Sequence, residues 1–501
     1  MGVLSSIFGG GKLAEAQANV AALQSTVYGL LQAKFDAAQT TALNKNHWGL
    51  ADHLSADAAV DPQTRRILRS RGRMEAQNNP YVAGISSTLA TSLVGTGPRL
   101  RLDIPKSDPK DVQTVQRRFF DWMWDIDLPQ KIRIMAQARV PDGDPFGVMF
   151  TNRQLRGVQL DLKLVESDQV ADPWPRAETG AVDGAKFDDD GNIVAWHILH
   201  EHPGSGSIAS VMGKGKWIPA TEVIHWPHLT RPGQHRGFGR IVPALELFGA
   251  LRRFVNATVT AAEVAASFSA ILKTTLLPPN QAAAQLNGDF KKFPIAHGMM
   301  TNLPDGWDFQ QFKAEHPNAT FEEFVRWILG MACRACDIPI IAATMDATGA
   351  NYSSMRGDYL IFRKYLDVDR SMVERIILDP LFTRWFEEAI FIRGQIPSGL
   401  PPFSEWNWSW AWDQLGHIDP VKEAAGEQIR LENHTETLAR LYAARGMDWR
   451  EEVDQAAVEK EYLLSKGLKL ADVAPKTRDA VKAAIQKAIT EEFQEGLAQA
   501  A

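Results

Sequence analysis

The period of the apolar positions changes several times along this chain, and each change marks a boundary. Residues 13–43 are rich in Ala, Gln and Leu with few breakers, which predicts a weakly amphipathic helical arm. Over 65–94 the pattern is helical and carries on past Pro80 through GISSTLATSLVGTG, where Gly95 and Gly97 stop it. From about Leu100 to Thr230 the pattern is mixed. A helix is predicted near 109–125, followed by alternating runs such as VQLDLKLV at 158–165 that predict strands. In FDDDGNIVAWHIL the pair Asp190-Gly191 sits between alternating apolar positions and predicts a β-hairpin; a second hairpin loop is expected at 204–215.

Beyond Pro243 the pattern becomes regularly helical. Leu247, Leu251, Phe254, Thr258, Ala261, Ala265, Phe268 and Leu272 follow one another in steps of four and three, and Pro243 suits a first turn. Some 30 residues at 1.5 Å each make a rod of about 45 Å. Its second half is nearly all Ala, Val, Thr and Ser, so neighbouring helices can approach closely; an ordinary core helix has the same periodicity. Residues 273–319 break the pattern with Pro, Gly and Asn. Thr320 and Glu323 form a capping box opening FEEFVRWILGMACRAC, which Pro339 ends. IPIIAATMDATGANYSS is a loop of apolar and small residues. Another helix runs from Ser354 to about Leu378, and Asp379-Pro380 kinks it before LFTRWFEEAIFIRG resumes. Trp406, Trp408, Trp410 and Trp412 alternate strictly, as on one face of a strand. After Pro420 the chain is helical, with breaks near Gly446 and Pro475, and there is no internal repeat. The fold class is α+β, mainly α.

Composition narrows the function. With 501 residues, 45% hydrophobic and 23% charged, the chain exceeds what one core serves, and about three units are expected. A net charge of -6 argues against a protein that grips nucleic acid tightly. Two cysteines exclude a disulfide scaffold and fit a reducing compartment. No signal-peptide pattern and no run of 18 apolar residues is present, so no membrane partner is expected. Met1, Gly2 and Ser6 fit a loose myristoylation pattern that carries no weight alone.

Candidate chemistry is sparse. Cys333 and Cys336 lie near the end of their helix, whereas redox CxxC pairs sit at helix N-termini, and zinc needs two further ligands. They read as buried small residues. His225, His228 and His235 have spacings a metal site uses, and Asp142 and Asp144 in PDGDPFG are carboxylates of the kind that hold magnesium in a nuclease; neither set is specific. GSGSIA at Gly204 matches a dinucleotide fingerprint nominally, but turn and strand follow it instead of a helix, and no phosphate-binding loop occurs. No cofactor is expected. Arg65, Arg66, Arg69, Arg71 and Arg73 read as a solvated helix face, with contact to nucleic acid or an acidic partner as the alternative.

Several segments in order resemble the lambda family of phage portal proteins: RSRGRMEAQNNPYVAGISSTLATSLVGTGPRLR, DGDPFG, FDDDGNIVAWHILHEHP, VIHW with RPGQHRGFGR, MMTNLPDG at 299–306, NYSSMRG and HIDPVKEA. The resemblance spans about 65–473. It implies a ring, usually of about twelve subunits, with wing, stem, clip and crown regions. The implied division is an N-terminal helical arm at 1–60, wing at 61–241, first stem helix at 242–272, clip at 273–319 and second stem helix at 320–337. A tunnel loop at 338–352, a long kinked helix at 353–391, a wing-closing strand at 392–420 and a helical crown at 421–501 follow.

The resemblance further implies a unique vertex of the virion capsid, reached from the host cytoplasm during assembly. The implied partners are further copies of the chain, double-stranded DNA passing without sequence specificity, the terminase large subunit, major capsid and scaffolding proteins, and head-completion or tail connector proteins. No catalysis is implied. DNA that slides must not be gripped, because each Lys or Arg that neutralises a phosphate adds a contact to be broken at every step. Between Asp337 and Asn351 there are two acids and no bases, so Ala343, Thr344, Asp346, Thr348 and Asn351 are expected to line the constriction. Leu247, Leu251, Phe254, Ala261, Ala265 and Phe268 are expected to pack between subunits, and Lys291, Lys292, Asn302 and Asp305 to dock partners at the clip. The alternatives are another phage structural or adaptor protein, and a metal-dependent phage nuclease.

Overall fold

The computed structural model describes residues 18–24, 41–42, 44–49, 51–173, 180–206, 214–267, 271–274, 307–310, 321–413, 420–445, 447 and 449–467. The chain divides into two units, Met1–Ala59 and Val60–Ala501. In the first, residues 18–24 are an exposed helical segment and Ala56–Ala59 form one helical turn.

The second unit opens with α1 (Pro62–Asn78) and α2 (Pro80–Val94), two helices where the sequence pattern predicted one. The break is local chemistry. Proline disfavours helical geometry in the residue before it, so Asn79 is extended (φ -111°, ψ 114°) and its side chain accepts from Tyr81 N to cap α2. At the other end of α1, the Asp61 carboxylate accepts from Gln63 N (2.8 Å) and Thr64 N (3.2 Å).

Next come β1 (Arg99–Asp103), α3 (Pro109–Asp125) and α4 (Leu128–Arg139). The α3 stripe Val112, Val115, Phe119, Trp122 and Met123 is buried. Two antiparallel sheets follow. One has the order β3-β2-β8, from β2 (Phe146–Thr151), β3 (Leu160–Val165) and β8 (Val223–His225). The other has the order β4-β5-β6-β7, from β4 (Ala181–Val182), β5 (Ala185–Phe187), β6 (Ile193–Leu199) and β7 (Gly215–Pro219). The Asp190-Gly191 turn joins β5 to β6 as the sequence predicts, with Gly191 at φ +83° and Asp188 accepting from Asn192 N (2.7 Å).

The rod predicted after Pro243 to reach Leu272 is shorter: α5 is Leu245–Ser267, 23 residues, and Leu272 belongs instead to β9 (Ile271–Thr274), which pairs with β10 (Trp307–Gln310). Then come α6 (Phe321–Ala335), α7 (Ile340–Thr344) and α8 (Tyr352–Val373). The predicted disturbance before Pro380 is a π-helical turn, Glu374–Leu378, which leads into α9 (Asp379–Ala389). The tryptophan run is β11 (Asn407–Ala411), antiparallel to β1. Trp408 and Trp410 both donate their indole N–H to Asp379 Oδ1 (2.8 and 2.9 Å), and Trp412 donates to Glu374 (2.6 Å), so the strand is fastened to the helix at its π turn. Phe119 centres the largest core, its ring 5.2 Å from Trp122, Phe382 and Trp385.

Last are α10 (Pro420–Glu432), α11 (Leu438–Ala444) and α12 (Trp449–Ser465). The break after α10 has no glycine or proline; His434 takes φ +55° there. Thr320, Gly446 and Pro475 lie outside the described residues.

Candidate functional site

Two glycine-containing turns some 90 residues apart in sequence, PDGDPF at 141–146 and RPGQHRGFGR at 231–240, lock backbone to backbone. A Cβ on Gly143 (φ +76°) would overlap the Phe238 carbonyl; one on Gly237 would overlap the Gly143 oxygen, and one on Gly239 the Pro141 oxygen. Only glycine allows that approach. His228 N donates to Gly143 O (2.7 Å), Trp226 N to Pro145 O (3.2 Å) and Ile241 N to Val140 O (3.3 Å).

Buried charge fixes this junction. Asp144, fully buried, accepts from Arg236 Nε (2.6 Å) and Gly237 N (3.0 Å) and lies 2.6 Å from His225 Nε2. Burial alone would raise its pKa, but the charges of Arg236 and His225 outweigh that and hold the carboxyl well below the usual range. The rest of the Arg236 guanidinium donates to the carbonyls of Val170, Asp183 and Ser167. Asp142 takes two bonds from Arg73 (2.8 and 2.7 Å). These carboxylates are committed to arginines, which removes the basis for reading them as magnesium ligands.

The arginine run of α1 divides accordingly. Arg65, Arg69 and Arg73, at helical i, i+4 spacing, face inward: Arg65 pairs with Asp183, Arg69 with Asp168 (2.9 Å), and Arg73 with Asp142, Glu166 and Asp168. Arg66 and Arg71 are exposed. The solvated face expected from the sequence is therefore two of the five arginines, and the other three find their acidic partners within the chain. Glu166, Asp168 and His202 also converge within 4.8 Å, but Arg73 already bridges both carboxylates (3.3 and 2.9 Å) where a cation would sit. His228 Nδ1 is 3.1 Å from the Phe238 carbonyl, and His235 packs edge-on to Phe187. Cys333 and Cys336 are buried, and burial pushes their thiols up to about 11 and about 12, far from a reactive state.

A second buried cluster joins this junction to the long helix. Asp369 of α8 accepts from Arg139 of α4 (3.0 Å) and from Arg240 at the end of the glycine-rich turn (3.1 and 2.9 Å). Arg139 lies over the Trp226 ring and Arg240 over that of Tyr365. None of these partners was visible in sequence, because Asp369 lies 230 residues from Arg139 and 129 from Arg240.

Between α6 and α8, residues 336–351 form a short turn, α7, and an exposed segment. Thr344 donates to Ile340 O (2.8 Å) and Met345 ends α7 at φ +55°. Asp346 accepts from Thr348 N (2.9 Å), and Asn351 caps α8 by accepting from Ser354 N (2.8 Å). Asp346, Thr348 and Asn351 are exposed, and Thr344 is half-buried. Ala343 is buried in the core, so it is corrected from a lining position to a packing one. Although the segment has no base of its own, Arg326 of α6 donates to Thr348 O (3.1 Å).

Of the positions expected between subunits, Leu251 is buried inside the chain's own core and Leu247 packs against that core, because α5 lays its first half on the main unit. Leu251 is thereby corrected to a core residue. Phe254 is half-buried against the rings of Phe321 and Phe324, and Ala261 is half-buried. The Ala265 side chain, Phe268, Lys291, Lys292, Asn302 and Asp305 lie outside the described residues.

The model of one protein family, described as phage portal protein, lambda family, matches residues 44–370. The chain belongs to the lambda family of phage portal proteins. The match takes in both interlocked turns, α6 and the segment leading into α8; it begins earlier than the resemblance read from the sequence and ends before HIDPVKEA. Portal proteins of this family are structural. No curated protein is significantly similar in sequence. Among solved structures, the neck of a native GTA particle computed with C12 symmetry is 14% identical, covering 77% of this chain and 94% of its own, at a TM-score of 0.42. The virion of a native gene transfer agent particle is 15% identical, covering 81% of this chain and 99% of its own, at a TM-score of 0.40.

Proposed function

We propose that identical copies of this chain close into a ring at one vertex of a capsid, leaving a bore through which double-stranded DNA is packaged and later ejected. The family match over residues 44–370 carries this reading. The terminase motor during filling, capsid and scaffolding proteins during assembly, and head-completion or tail proteins afterwards are its partners. It is a conduit without turnover of its own.

The largely exposed run from Met345 to Asn351 supports a wall role, since it offers one hydroxyl (Thr348), one acid (Asp346), one amide (Asn351) and small groups and contributes no cation to grip phosphate. Arg326 is engaged with the Thr348 carbonyl. The test is native mass measurement with electron imaging of the full chain, which is expected to give closed annular particles. A chain that remains monomeric when concentrated overturns the reading. Replacing Ala347 and Thr348 together with Arg is expected to slow or stop packaging while rings still form; normal packaging removes these residues from the wall.

A further inference from the structure

Two outward apolar stripes lie on different helices of the second unit. On α6, Trp327 and Met331 point away from the buried Leu329 and Ala332, and Trp327 is 69% exposed, while Phe324 at the stripe's edge packs on Phe254 of α5. On α8, Leu360, Ile361 and Val368 point away from the buried Phe362 and Leu366, and Ile361 is 73% exposed. A helix with one face in the core normally solvates the other, so large apolar groups on that second face mark a contact surface.

Charge says what each stripe meets. Exposed Glu323 and Arg334 bracket the α6 stripe eleven residues apart, and exposed Arg356 and Asp367 bracket the α8 stripe at the same spacing with signs reversed. Eleven residues make about three helical turns and about 16 Å, so each bracket lies along one edge of its helix. Laid parallel, Glu323 faces Arg356, Trp327 faces Leu360 and Arg334 faces Asp367. Laid antiparallel, like charges meet. Arg334 currently reaches Asp337 (2.6 Å), an exposed pair of little worth, and Asp367 adjoins Arg370 on its own helix. Because the two stripes are different surfaces of one chain, their contact is head to tail, the kind that closes a ring.

We propose that α6 of one copy packs in parallel on α8 of the next, with Glu323–Arg356 and Arg334–Asp367 flanking Trp327 against Leu360. This rests on the ring reading and assigns its seam. The experiment uses the full chain with Glu323→Arg, Arg356→Glu and the two combined, scored by native mass and electron imaging. Each single variant is expected to lower the ring fraction by at least about tenfold and the combination to restore it to within about twofold. Unchanged thermal unfolding of each variant shows that its fold is intact. Single variants that assemble like the unaltered chain, or a combination no better than either, overturn the seam while the ring stands; the stripes are then covered by another part of this chain or by another protein. An unaltered chain that forms no rings overturns both.

Discussion

Arg240 holds Asp369 through two hydrogen bonds from one guanidinium nitrogen, 3.1 and 2.9 Å long, with both groups buried. Arg139 shares the same carboxylate (3.0 Å), so two cations from distant segments converge on one anion of the long helix. Asp369→Asn keeps the shape and removes the charge. It leaves two buried guanidinium groups without an anion and is expected to cost about 3–5 kcal/mol in a denaturant titration. A loss below about 1 kcal/mol would mean that water already serves these arginines.

Gly143→Ala is expected to prevent folding of the junction. The added carbon falls on the Phe238 carbonyl, and the residue must also hold φ +76°. Gly191→Ala, with similar φ (+83°) but open space around it, isolates the backbone term and should cost only about 1 kcal/mol. Soluble yield and proteolysis separate the two; equal behaviour would refute the close approach.

His228 sets a pH dependence. Burial, helped by the nearby Arg240, lowers its pKa to about 4. Below about pH 6.5 the unfolded chain takes up a proton that the folded chain refuses, so stability falls as pH drops towards 4 and levels off beneath it. The contribution is at most about 3 kcal/mol. His225, also lowered by burial, adds a slope of the same sign. His228→Gln should therefore reduce the fall between pH 6.5 and 4 without abolishing it, as read by urea titrations at intermediate pH. An unchanged slope rejects the assignment.

Asp379→Ala removes the acceptor of two half-buried indole N–H groups, from Trp408 and Trp410, and is expected to cost about 1 kcal/mol for each donor left without it. Asp379→Asn keeps an acceptor oxygen and should cost much less. Thermal unfolding followed by tryptophan fluorescence reads both. Equal losses would assign the effect to charge instead of hydrogen bonding.

Local signals in this sequence reported local structure faithfully. The Asp190-Gly191 hairpin, the alternating tryptophans and the disturbance before Pro380 all stand where the pattern puts them, because turn chemistry and pleat act over a few residues. Asn79 defeated the pattern because apolar periodicity ignores what Pro80 does to its predecessor. The charge clusters were illegible for a different reason. Arg69 and Asp168 are 99 residues apart, and Arg139 and Asp369 are 230 apart, so only the assembled fold pairs them. Ala343 and Leu251 were misread because a small or apolar residue looks the same whether its neighbour is its own core or another chain.

A π turn is what a regular helix becomes when it absorbs one residue too many while its flanks keep their rotational phase. The Glu374–Leu378 turn keeps Val373 before it and Leu381 and Trp385 after it on the same buried side. Excising the exposed Arg375 should therefore rewind that turn to ordinary α geometry and leave both flanks aimed as before. The same one-residue excision two turns earlier, inside α8, would swing its inward residues by about 100° and strand Asp369 away from its arginines.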